Sequence, residues 1–316
     1  MLPVFPYSSE PLISFNMLAL TALALHPCAQ APFFIDTHAH VGKISLMSKK
    51  IFFSDLDGTL LTKEKIISEK TRKALDDFVA AGNHFAICTG RGLDNVLDVT
   101  KELGLDYPGM YLICYNGAQI YDCDAGRDLF RIGVPLDLIP GIFETASEYG
   151  IHAHTYTTDS LISPDNGEEM QYYNRVIKRP VVVTDDIVTA LPEDPCKVIA
   201  IELHDLEKLE RFRLAIMEKF SDKVTTVYSN PNYLEIFMKE AGKGSAVIRL
   251  AEHLNIPVEN TIAAGDEQND ISMIEAAGIG VAMKNAVDMA KSAANVITEF
   301  DNDHDGLADI LKSNTQ

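Results

Sequence analysis

The sequence predicts an α/β protein: a parallel sheet covered by helices, interrupted midway by an α+β insertion. Three observations carry this. From Ile51 onward, short β-rich runs alternate with helical stretches, the pattern of strand–helix–strand units. Between about residues 133 and 232 the texture becomes more mixed, and from Lys243 the first pattern resumes. The chain has 316 residues, more than one typical domain needs, so each part can bury its own core.

Taken in order, Ile51 to Phe53 reads as a compact apolar strand. Ser68 is placed to cap a helix whose apolar positions Ala74, Leu75, Phe78 and Val79 share one face, and Gly82 ends it. His84 to Cys88 and Tyr111 to Tyr115 read as the next strands. Asn116-Gly117 is a turn dipeptide before a short strand at Gln119 to Tyr121. Inside the insertion, helices are expected at Ile139 to Tyr149 and Leu206 to Phe220, with strands at Val198 to Leu203 and Thr225 to Tyr228. A strand at Leu234 to Phe237 follows. A helix at Ser245 to Leu254 has Ala246, Val247, Leu250, Ala251 and Leu254 at helical spacing. Thr261 to Ala264 (strand), Asp270 to Ala277 (helix) and Gly280 to Met283 (strand) complete the order. The Met and Phe side chains scattered through the helices read as core.

A formal net charge of -19 repels nucleic acid phosphates and disfavours DNA or RNA as a partner. A small anionic substrate remains compatible, because one metal ion and a few cations reverse the field locally. The five cysteines (Cys28, Cys88, Cys114, Cys123, Cys196) are odd in number and widely spaced. They suggest reduced thiols in a cytoplasmic protein, not a disulfide framework or a zinc site.

Residues 1–46 differ from the rest. They are apolar and almost uncharged, and Met17 to Ala31 has a signal-like apolar stretch without a basic start and too short to span a bilayer. A poorly structured extension, or a start placed too early upstream of Met47, is expected there; no membrane segment is expected after Met47. Phe34-Ile-Asp-Thr-His-Ala-His40 resembles the opening strand of TatD-type metal-dependent hydrolases, where an H-x-H pair holds metal. Residues two apart on a strand point the same way, so His38 and His40 could converge. That reading needs a barrel supplying later ligands, and the sequence continues with a different pattern.

The strongest chemical signal is Phe53-Ser-Asp55-Leu-Asp57-Gly58-Thr59. Two acids two positions apart, ending an apolar strand, lie beyond the carboxyl edge of the sheet, where open α/β sheets bind ligands. Gly58 permits a tight turn, and Thr59 can bond phosphate oxygens. The paired carboxylates call for a hard divalent cation, Mg²⁺ by default. Alone, D-x-D-G is equally a simple turn. Three further elements change the balance. Thr89-Gly90-Arg91 follows the second strand and offers a hydroxyl and a backbone N–H to phosphate. Lys243-Gly244 opens a helix, and Gly265-Asp266-Glu-Gln-Asn269-Asp270 follows a later strand.

This ordered set, D-x-D-G-T, T-G-R, a lone Lys and G-D-x-x-N-D, resembles the haloacid dehalogenase-like hydrolases. The length of the insertion is similar to that of the Cof-type branch, subfamily IIB. Smaller matches agree: Tyr115 to Ala118, Leu234-Glu235-Ile236, Val281 to Ala286, and Thr298 through Gly306. The resemblance spans about Ser48 to Leu311. It implies a Rossmann-like doubly wound parallel core at 47–132 and 233–316 with a type IIB α+β cap at 133–232. It also implies an Mg²⁺-dependent phosphatase. Asp55 would be the nucleophile and form an aspartyl-phosphate; Asp57 would be the general acid and base. Thr89, Gly90, Asn269 and Lys243 would hold the phosphate, with Arg91 placing the phosphate or sugar. Metal would be held by Asp55, the Asp57 backbone carbonyl and Asp266, with Asp270 completing the metal set and orienting Lys243 or a metal-bound water. Sugar phosphates, pyridoxal phosphate or FMN are the expected substrates, and a phosphohexomutase of the same fold is the alternative. The cap is expected to supply specificity, with His152 to Tyr156 and the polar run Asp165 to Asn174 as candidates; oligomeric state is not legible.

Overall fold

A computed structural model describes residues 49–315. The His38–His40 pair, Cys28 and the signal-like stretch lie outside the described residues.

The chain opens with β1 (Ile51–Ser54), fully buried on both sides. It continues through α1 (Glu69–Ala80), where the Ser68 hydroxyl accepts from the Thr71 N–H as foreseen. β2 (His84–Cys88), α2 (Leu93–Glu102) and β3 (Met110–Cys114) follow. Two antiparallel strands, β4 (Gln119–Asp122) and β5 (Arg127–Arg131), close this half. The insertion then contributes α3 (Ile139–Tyr149), β6 (His152–Tyr156), β7 (Leu161–Ser163), α4 (Glu168–Ile177) and β8 (Val181–Val183). It continues with β9 (Val198–Ile201), α5 (Leu206–Phe220), β10 (Val224–Asn230) and β11 (Tyr233–Met238). The core resumes as α6 (Lys243–His253), β12 (Thr261–Gly265), α7 (Ile271–Ala276), β13 (Ile279–Ala282), α8 (Asp288–Ala293), β14 (Val296–Ile297) and α9 (Gly306–Asn314).

The core sheet runs β14-β13-β12-β1-β2-β3-β4-β5, its first six strands parallel. β1 therefore sits at the switch point: the chain winds outward through β2 and β3, then returns to add β12 on the other side. Alternation along each strand sorts the side chains onto two faces. Phe52, Phe85, Ile87 and Ile262 pack under α1, α2 and α9. Ile51, Phe53, Ala86 and Ala263 pack against α6 and α7. Burial on both faces is why the strands read as continuous apolar runs.

The second sheet, β10-β11-β9-β6-β7-β8, is mixed. One face (Ala153, Val198, Ala200, Leu234, Ile236) packs on α3 and α5. Its other face (Ile199, Ile201) packs with Tyr173 of α4. Residues 233–238 were assigned to the core from sequence, and this is corrected: β11 pairs with β10 and β9 in the cap sheet. An apolar strand looks the same whichever sheet accepts it, so only pairing fixes the boundary, which falls after Met238. Among the described residues no helix is long and apolar enough to cross a membrane.

Candidate active site

β2, β1 and β12 are neighbours, so the residues just past their carboxyl ends converge. Asp55 follows β1, and its N–H donates to the Ala264 carbonyl of β12 at 2.9 Å. Asp266 follows β12, and Thr89 follows β2. From the insertion's exit, α6 brings in Lys243, whose side chain is 0% exposed.

Lys243 Nζ donates to Asp55 Oδ1 and to Asp270 Oδ1, each at 2.6 Å. The other Asp270 oxygen, Oδ2, accepts the backbone N–H groups of Asp266 and Glu267, both at 2.9 Å. Both Asp270 oxygens are thus engaged, and the residue orients Lys243. Carboxylate oxygens of Asp55, Asp266 and Asp270 lie within 4.8 Å of one another. Burial pushes the Asp55 carboxyl up to about 8, with Asp270 and Asp266 adding to the rise against the opposition of Lys243. Burial likewise pushes Asp266 up to about 7. Burial would lower the Lys243 ammonium, but Asp270 and Asp55 outweigh it and hold it above the usual range. A buried cluster of oxygen donors with one ammonium among them suits a hard divalent cation, which would relieve the repulsion that raises Asp55 and Asp266. The residues present fit Mg²⁺.

Asp57 points elsewhere. Its carboxylate accepts from Arg91 Nε and Nη2 and from Lys65 Nζ, each at 2.8 Å. Burial works to raise Asp57, but these hydrogen bonds prevail and hold it below the ordinary carboxylate range. Its side chain is therefore not part of the acidic cluster; only its backbone lies on the loop beside Asp55. Thr59, expected to face phosphate, donates its hydroxyl to Asp266 Oδ1 at 2.8 Å and so holds that acid in place. Gly58 has φ +82, and a Cβ there would fall 2.3 Å from Asp266 Oδ2, so glycine is required for Asp266 to approach.

A cavity of about 430 Å³ lies above this cluster, between core and cap. Asp55, Asp57, Thr89, Gly90, Arg91 and Asn269 line its core side. Lys243, Asp266 and Asp270 lie beneath that wall. The cap side carries Tyr156, Tyr173, Arg179, Lys197, Tyr233 and Glu235. An ion pair from Arg179 to Asp94 of α2 at 2.8 Å ties the cap to the core beside this cavity.

The model of the haloacid dehalogenase-like hydrolases matches residues 52–311. The chain belongs to this family. Escherichia coli K12 pyridoxal phosphate phosphatase YbhA is 30% identical over 275 residues, covering 84% of this hydrolase and 99% of YbhA. Bacillus subtilis 168 5-amino-6-(5-phospho-D-ribitylamino)uracil phosphatase YwtE is 31% identical over 278 residues, covering 80% and 94%. Among solved structures, a haloacid dehalogenase-like hydrolase from Bacteroides thetaiotaomicron superposes with a TM-score of 0.74. It is 27% identical and covers 84% of this chain and 99% of that one.

Several lining residues of the hydrolase were not singled out in its sequence. Arg179, Lys197 and Tyr233 belong to a cap whose topology the sequence does not announce. The period-2 spacing of Lys197, Ile199 and Ile201 was a usable signal, since it puts the lysine on the face of β9 opposite Val198 and Ala200. In the stretch His152 to Tyr156, Tyr156 alone lines the cavity; His152 and His154 are buried within the cap. Of the expected polar run Asp165 to Asn174, the cavity is lined by Tyr173, because the segment from Glu168 is a helix presenting one face.

Proposed function

We propose that this chain is a magnesium-dependent phosphomonoesterase for small phosphorylated metabolites, working through an aspartyl-phosphate on Asp55. The observation that carries the reading is the buried Asp55–Lys243–Asp270 arrangement beside Asp266, at neighbouring strand ends under a cavity between core and cap. Asp55 attacks phosphorus in line; the Asp55–phosphorus bond forms as the bond to the leaving oxygen breaks. Asp57 donates a proton to that oxygen. It then takes a proton from the water that attacks phosphorus, releasing inorganic phosphate and restoring the Asp55 carboxylate.

Lys243 offsets charge at Asp55 and the transferring group, and the Thr89 hydroxyl, Gly90 N–H and Asn269 amide hold its oxygens. Arg91 and Lys65 keep Asp57 ionised in the free enzyme, so proton loading requires Arg91 to turn toward an arriving phosphate. Asp55, Asp266 and the Asp57 backbone carbonyl would hold Mg²⁺, which supplies neutralisation of phosphoryl charge. The described cysteines are unpaired thiols, in keeping with a cytoplasmic location.

The test is release of inorganic phosphate with and without Mg²⁺ from a panel containing sugar phosphates, pyridoxal phosphate, FMN and 5-amino-6-(5-phospho-D-ribitylamino)uracil. Asp55→Asn is expected to lose all measurable turnover, and wild-type rates in that variant would refute the reading. Hexose 1-phosphate converted to its 6-phosphate isomer without free phosphate would replace it with a mutase.

A further inference from the structure

A buried ion pair sits where the cap meets the phosphate loop. Lys197 precedes β9 and Glu235 lies on β11; Lys197 Nζ and Glu235 Oε1 are 2.9 Å apart, with side chains 4% and 5% exposed. Both belong to the cap, yet each reaches into the core. Lys197 Nζ donates to the Gly90 carbonyl at 2.9 Å. Glu235 Oε2 accepts from Asn116 Nδ2 at 2.6 Å, and Asn116 Oδ1 accepts from Asn269 Nδ2 at 3.1 Å. The Asn116 N–H donates to the Thr89 carbonyl at 3.0 Å, and the Tyr115 N–H to the Arg91 carbonyl at 2.9 Å. Lys197 therefore holds the loop 89–91 directly, and Glu235 supports it through Asn116.

The segment they grip is strained. Tyr115, Asn116 and Gly117 all have positive φ (51°, 55° and 98°), a left-handed run that non-glycine residues rarely adopt. Such a turn persists only while its surroundings fix it, and Glu235 and Asn269 supply the side-chain hydrogen bonds that do so at Asn116. A desolvated pair of this kind is also a poor source of stability, since apolar residues of similar volume usually serve a fold as well or better. Its value lies in what it positions.

We propose that Lys197 and Glu235 are positioning residues, through which the closed cap fixes the phosphate-binding loop in its working geometry. This rests on the phosphatase reading for its consequence but not for its test. With the cap lifted, the contacts to Gly90 and Asn116 break together, and the loop loses its outer support. Phosphate capture and cap closure thus become one event.

The decisive measurement is hydrogen–deuterium exchange of the full-length chain, without substrate, over the peptide covering residues 88–93. Lys197→Met is expected to speed exchange there at least tenfold. The double variant Lys197→Met/Glu235→Leu removes both charges together, so it keeps the fold where the single variant leaves Glu235 buried alone. It should retain a melting temperature near that of the wild type and still show the fast exchange. With p-nitrophenyl phosphate as probe, kcat is expected to fall at least tenfold in the double variant while KM changes less. Wild-type exchange in the double variant overturns the proposal, and so does loss of its fold, which would make the pair structural. A wild-type protein that hydrolyses no phosphomonoester would sink the phosphatase reading alone, because the exchange result stands by itself.

Discussion

At the scale of single residues, the two acids of the D-x-D pair occupy opposite electrostatic settings. Asp55 is raised by burial among carboxylates, whereas the hydrogen bonds of Arg91 and Lys65 hold Asp57 down. Sequence spacing told that both lie at the edge of the sheet; it could not tell that one faces inward to Lys243 and the other outward to Arg91. That division depends on Lys65 and Arg91, which are brought together by the loop geometry. Lys65 is more than half exposed, so its contribution is screened and modest. Removing it takes a cation away from Asp57 and raises that carboxyl. In Lys65→Met the limb of the kcat/KM–pH profile belonging to Asp57 is expected to move to higher pH, which a pH–rate series checks. A limb that moves down would contradict the assignment of that limb to Asp57.

At the scale of elements, the turn after β1 does more than connect. Gly58 leaves room for Asp266, and Thr59 holds it, so one short loop builds half of the acidic cluster. Gly58→Ala is expected to push Asp266 out of place and raise the Mg²⁺ concentration for half-maximal activity at least tenfold, as a metal titration would report. Gly82 offers the control: it has φ +91 but open space where a Cβ would go. Gly82→Ala should cost stability, about 1 kcal/mol from the left-handed backbone, and leave the metal requirement unchanged. Many core elements were legible because each obeys a local rule: the Ser68 cap, the apolar runs of β1 and β12, the lysine opening α6; α2, β5, α8, β14 and α9 were not read. The cap elements were less legible. Polar residues from Glu168 concealed α4, whose apolar face is narrow, and β11 carried no mark of which sheet it joins.

At the scale of the whole molecule, the acidic cluster ties stability to pH and metal. Asp55 and Asp266, raised to about 8 and about 7, keep protons in the folded state that the unfolded chain has released above its ordinary range near 3.8. The metal-free fold is therefore favoured by this term at low pH and loses that contribution as pH rises toward 8. Mg²⁺ compensates where the carboxylates are charged. The increase in melting temperature on adding Mg²⁺ is expected to be larger at pH 8 than at pH 5, measured by calorimetry; an increase independent of pH would count against the cluster as the metal site. A parallel sheet covered by helices was readable from the alternation of strands and helices, and its doubly wound order from the motif resemblance. The cap–core seam was not, since its contacts join residues such as Lys197 and Gly90 that no local pattern links.

The route by which the insertion is threaded carries one more consequence. The Ile132 N–H donates to the Ala118 carbonyl on the way out of the core, and Gly117 packs directly against the backbone of Gly242 on the way back. Departure and return thus share a single doorway beside one turn. Residues 132 and 242 are near enough, by way of that turn, for a brief bridge of glycines to join them. Nature's graft could be excised or exchanged there as a module, the eight-stranded sheet staying intact because none of its strands is borrowed from the insert.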